Sequence, residues 1–184
     1  MNLELYVLTK VEKVDEFIEQ EQRLVVERCK SLRKIPRDIA INTPFKENLF
    51  SMFVCVFARI PLFVCGKPGS SKSMSMRILK NSFAKQQVQG SKCGFMNGFP
   101  MIYIFEYQGS KQSNEQGIAR IFQKAARTCK PNKVGLMFFD EIGIAELSPN
   151  KPLKVLHEYL GKTGFNDQHY GGKVVVFCVE AKCT

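Results

Sequence analysis

Two short stretches hold the side chains with chemical potential: "GKPGSSKS" at 66–73, closing on Lys72 and Ser73, and "LMFFDE" at 136–141, closing on Asp140 and Glu141. The first is a variant of the phosphate-loop pattern G-x-x-x-x-G-K-[ST]; Gly66, Lys72 and Ser73 fit it, and Ser71 stands where the second glycine belongs. Such a loop, set between a strand and a helix, offers unpaired backbone N–H groups and the positive end of the helix dipole, which together favour bound phosphate. Gly66, Lys67, Pro68, Gly69, Ser70, Ser71, Lys72 and Ser73 are therefore expected to form a nucleotide-binding loop. Lys72 is expected to reach the β- and γ-phosphates of ATP, and the Ser73 hydroxyl to hold Mg²⁺. Lys67 either adds charge beside the phosphates or is simply solvated. Ser71 costs little if it lies in the first helical turn, and about 1 kcal/mol or more if the position needs a positive φ. Pro68 and Gly69 are there to shape the loop, so the tolerant case is the expectation.

Asp140 and Glu141 end an entirely apolar run, the place where open α/β sheets bind their ligands. Asp140 is expected in the shell of the metal. Glu141 is expected to polarise the attacking water, acting with Lys72 as the catalytic pair. The plain alternative, that the acidic pair merely caps the next helix, loses ground because a phosphate-type loop lies upstream.

These residues need a sheet and helices to hold them. The apolar runs "LFVC", "MIYIFEY", "VGLMFF" and "KVVVFCV" read as four strands, with amphipathic segments between them. Continuous apolar strands alternating with helices predict an α/β fold with a parallel sheet covered on both faces. Before them, residues 3–32 read as a charged amphipathic helix with Val7, Val11, Val14, Ile18 and Val25 on one stripe, lying outside the core. "FKENLFSMFVCVFARI" reads as a largely buried helix. Ser113 and Gln116 are spaced for a capping box at the start of "SNEQGIARIFQKAARTC". Pro152 suits the first turn of a helix carrying Leu153, Leu156 and Leu160. The domain reading is an N-terminal helix and linker over 1–44, and a partial P-loop NTPase large subdomain over 45–184.

The chain has 184 residues and a net charge of +10 from 27 Lys/Arg against 17 Asp/Glu. Most of the excess lies after residue 60. Arg120, Lys124, Arg127, Lys130 and Lys133 fall at helical spacing, as one solvated face with no interleaved aromatics for base stacking. Nucleic acid is accordingly not expected as a partner. The seven cysteines include no C-x-x-C pair, and with two histidines a zinc site is hard to assemble, so reduced thiols in a cytoplasmic setting are expected. Arg59 and Pro61 interrupt the longest apolar tract, leaving it short of the roughly 20 residues of a membrane span. His157 and His169 have no evident part in phosphoryl transfer.

Beyond these patterns, "RIPLFVCGKPGSSKSMS", "FEYQGSKQSNEQGIARIF" and "FDEIGIAELSPNKPLKVLH" resemble the AAA+ core of the mysterin family, very large ring-finger ubiquitin ligases with dynein-like AAA+ modules. The resemblance covers nearly the whole chain, and it implies that the serine-for-glycine loop works. It implies ATP binding and hydrolysis within a ligase whose ubiquitin-transfer chemistry lies elsewhere, with other AAA+ modules of the parent chain and protein substrates as partners. The family's Asn-containing sensor segment, fifth strand, helical lid and inter-subunit arginine have no counterpart before Thr184. By that comparison the chain reads as a fragment or truncated gene model, and on its own it is expected to bind MgATP weakly or not at all and to turn over little. A non-catalytic scaffold that keeps the fold is the alternative.

Overall fold

The computed structural model describes residues 14–31, 35–36, 39–88, 100–130, 133–156 and 175–181. Helices α1 (Val14–Ser31) and α2 (Thr43–Ala58) lead into strand β1 (Leu62–Gly66), followed by α3 (Lys72–Val88), β2 (Met101–Gln108), α4 (Glu115–Thr128), β3 (Lys133–Asp140), the single-turn α5 (Ile142–Glu146) and β4 (Val175–Ala181). The four strands pair in the order β1-β4-β3-β2, every pair parallel. The α/β architecture with a parallel sheet agrees with the reading of the sequence.

Alternation along β3 divides the core in two, because successive strand residues point to opposite faces. Val134, Leu136 and Phe138 join one cluster with Phe45, Leu49, Met52 and Val56 of α2 and Met76, Ile78, Leu79 and Phe83 of α3. Met137 and Phe139 join the other with Ile118 and Phe122 of α4, Ile142 and Ala145 of α5, and Leu156. Helices thus cover both faces of β3, and its six inner residues are all buried. β1 differs. Its burial alternates, and Phe63 is 52% exposed, because β1 sits at the sheet edge and no described helix covers its second face.

Three local expectations are corrected. α1 does not lie wholly outside the core: Val25, Val26 and Cys29 are buried against α2 and α3, while Val14 and Ile18 of the supposed apolar stripe are exposed. The capping box at Ser113 is not formed. Asn114 caps α4, its side chain accepting a bond of 2.8 Å from the Gly117 N–H, because Ser113 is drawn inward, where its carbonyl accepts from the Ser148 hydroxyl at 2.7 Å. The basic run is not one helical face either, since α4 ends at Thr128 and Lys133 belongs to β3. Lys133 rests its ammonium over the Tyr103 ring on the neighbouring strand, 5.4 Å from the centroid. Pro152 precedes helical backbone at 154–156, whereas Leu160, His157 and His169 lie outside the described residues. Cys29, Cys55, Cys65 and Cys129 are free thiols. No helix among the described residues is long and apolar enough to cross a membrane.

Candidate functional site

Parallel strands all present their carboxyl ends at one edge of the sheet, so the loops after β1 and β3 emerge together. Gly66 pairs with Ala181 of β4, and Asp140 pairs with Val179 of the same strand. The ends of β1 and β3 therefore flank the end of β4, two strand spacings or about 10 Å apart. α3 begins at Lys72, directly after the β1 loop, and packs against β2. Ser73 and Asp140 line one cavity of about 390 Å³ together with Arg77, Lys80, Glu106 and Phe138. A hydroxyl and a carboxylate lining one cavity are oxygen donors of the kind a hard divalent cation takes.

Lys72 is placed otherwise than the sequence led one to expect. Its side chain is 6% exposed, and its ammonium donates to the Gly66 carbonyl at 2.8 Å, the Lys67 carbonyl at 2.7 Å and the Ser70 hydroxyl at 2.9 Å. All three acceptors are neutral. A buried cation held only by neutral acceptors is poorly compensated. Lys67 is exposed, in keeping with the solvated reading, as are Pro68 and Gly69. A side chain at Gly66 would crowd this knot, since its Cβ would meet the Ser70 Oγ at 3.2 Å.

Ser71 corrects the tolerant expectation: its φ is 61°, and the helix starts one residue later. Its carbonyl accepts the Ser75 N–H at 2.8 Å, so the residue forms the half-helical entry and must turn the chain into the left-handed region to close the loop over Lys72. That conformation costs an L-residue about 1–2 kcal/mol, and glycine avoids it at some expense in chain entropy. Ser71→Gly is expected to raise unfolding stability by roughly 0.5–1 kcal/mol, read as a higher urea midpoint at constant slope.

The acidic pair is not a simple cap. Asp140 accepts the Glu141 N–H on its Oδ1 at 3.0 Å, and Glu141, at the start of α5 with φ 52°, makes no side-chain bond to that helix. Burial pushes the Asp140 carboxyl above its ordinary range, opposed by the Glu141 N–H and reinforced by the charges of Glu141 and Glu106. A bound cation would reverse that balance. Glu141 instead accepts a bond of 2.7 Å on its Oε2 from the Gln108 amide at the end of β2. Gln108 escaped the sequence reading: its only signal was its place as the last residue of a strand two positions beyond Glu106. Glu106 itself is paired with Lys80 across the cavity wall.

A family model described as "RNF213 AAA domain" matches residues 38–179. The chain is 40% identical over 126 residues to E3 ubiquitin-protein ligase rnf213-beta of Danio rerio, covering 66% of this chain and 2% of that protein. It is 37% identical over 130 residues to E3 ubiquitin-protein ligase RNF213 of Mus musculus, covering 68% and 2%, and 37% identical over 128 residues to the Homo sapiens protein of that name, covering 67% and 2%. The matched stretch is thus a very small part of each of these curated relatives.

Proposed function

Because the chain belongs to the RNF213 AAA domain family, we propose that it is an ATP-binding module of the P-loop type, hydrolysing ATP in the setting of a ubiquitin-ligase parent. The observation that carries this reading is the shared cavity of Ser73 and Asp140, at the sheet edge where the loop holding Lys72 also emerges. Residues 45–184 form a partial AAA+ large subdomain in this reading, from the phosphate loop to the fourth strand, and 1–44 a helix and linker before it. Other AAA+ modules of the parent and the ligase's protein substrates are its partners, in the cytoplasm.

Within the site the roles divide by chemistry. The N–H groups of 69–73 and the Lys72 ammonium bind phosphate oxygens, once the ammonium leaves its loop carbonyls. Ser73 and Asp140 are the residues to hold Mg²⁺, which when bound neutralises charge on the terminal phosphates. Glu141 orients the attacking water and accepts its proton; its backbone, fixed by Asp140 on one side and α5 on the other, leaves the carboxylate free to exchange Gln108 for water.

Titration of a fluorescent ATP analogue decides the reading. Saturable binding with Mg²⁺ that weakens in EDTA is expected. No saturable binding under either condition would remove the nucleotide assignment. Turnover that survives Glu141→Gln would remove the hydrolytic one, and binding without turnover in the parent protein would favour the scaffold.

A further inference from the structure

Ser70 is gripped from two sides. Its hydroxyl is the third acceptor for the Lys72 ammonium at 2.9 Å, and its carbonyl accepts the Asn48 side-chain amide at 2.8 Å. Asn48 lies at mid-length of α2, a helix fixed at its start by the Asn42 cap and at one turn further by Phe45, fully buried, whose carbonyl accepts the Ser75 hydroxyl of α3. The grip on the loop therefore comes from a rigid element outside it.

An ammonium has three protons to donate, and Gly66, Lys67 and Ser70 take all three. The two carbonyls belong to backbone that any loop of this length supplies. The hydroxyl is a side-chain contribution, and Asn48 sets its position. We infer that Asn48 and Ser70 form a latch that holds the Lys72 ammonium within the loop, in competition with phosphate, and so sets the affinity of the site for polyphosphate. Phosphate must replace the Ser70 hydroxyl on Lys72 and draw the loop away from α2. Whatever stabilises the latched form lowers apparent affinity by the fraction of molecules it holds shut.

This inference rests on the nucleotide reading above and predicts opposite signs in two measurements. Ser70→Ala strands one ammonium proton in the empty protein but not in the occupied one, where phosphate takes it. Melting of the empty protein should therefore shift down, while affinity for MgATP and for pyrophosphate rises about five-fold. Ser70→Thr keeps the hydroxyl and should lack the tightening seen in Ser70→Ala. Asn48→Ala should act in the same direction as Ser70→Ala, and combining the two should add little, since both release one contact chain. Tightening confined to the variants lacking the hydroxyl or the amide, or binding detectable only in them, supports the latch. Unchanged or weaker affinity in Ser70→Ala, with the parent sequence still saturable, overturns it and leaves the nucleotide reading standing. Absence of saturable binding in the parent sequence and in every variant overturns both.

Discussion

Lys72→Met is expected to weaken MgATP binding by about 100-fold or more while moving unfolding stability by only about 1 kcal/mol. The two effects separate because, on the proposed reading, Lys72 has different partners with and without nucleotide. Lys72 is 6% exposed, and its ammonium rests on two carbonyls and a hydroxyl. Methionine strands those acceptors, which is unfavourable, but it also relieves the burial of a charge that no carboxylate among its recorded partners offsets, and its thioether fills the same space. The two terms oppose one another. With nucleotide present there is no such compensation: a charge-assisted contact to phosphate disappears outright. Titration calorimetry and a urea melt on the same preparation check both halves, and affinity kept within a few-fold would show that Lys72 is a structural pin.

What the sequence discloses here follows the range of the forces involved. Strand β3 could be read because burial on both faces demands an unbroken apolar run, and "VGLMFF" has no other stable home. The positions of the loop and of the acidic pair could be read because each directly follows an apolar strand, β1 and β3, whose carboxyl ends lie at one edge of the sheet. Ser71 misleads for a reason of backbone geometry: nothing in its type announces φ 61°, which comes from the path the chain takes to lay Lys72 under the loop. Ser113 misleads because two bonds compete for its surroundings. Its spacing to Gln116 suits a cap, but the partner that wins is Ser148, 35 residues later in the chain. Gln108 is the clearest case of a site residue hidden from local pattern. Its relation to Glu141 exists only once β2 and β3 lie in register, Gln108 opposite Asp140.

That register gives the second large effect. Gly109 follows β2 directly, donating its N–H to the Asp140 carbonyl at 2.8 Å. A Cβ built there would fall 2.2 Å from the Glu141 carbonyl oxygen and 2.9 Å from its carbon. Both obstacles are backbone, so no rotamer change relieves them, and Gly109→Ala is expected to cost about 3 kcal/mol in unfolding stability. The strain falls on the peptide joining Glu141 to Ile142 and, through the 3.2 Å approach to the Asp140 carbonyl oxygen, on the one before it; it should displace both carboxylates, lowering Mg²⁺-dependent nucleotide affinity in the molecules that remain folded. Gly135→Ala supplies the comparison. Its Cβ would fall 2.6 Å from the Ala125 carbonyl oxygen on α4, near the opposite end of β3, where the same crowding has no route to the acidic pair. Equal losses of stability in the two variants, with affinity lost in Gly109→Ala alone, would establish that the end of β2 holds the carboxylates of Asp140 and Glu141 in place. Equal affinities per folded molecule would mean that Asp140 and Glu141 keep their positions without it.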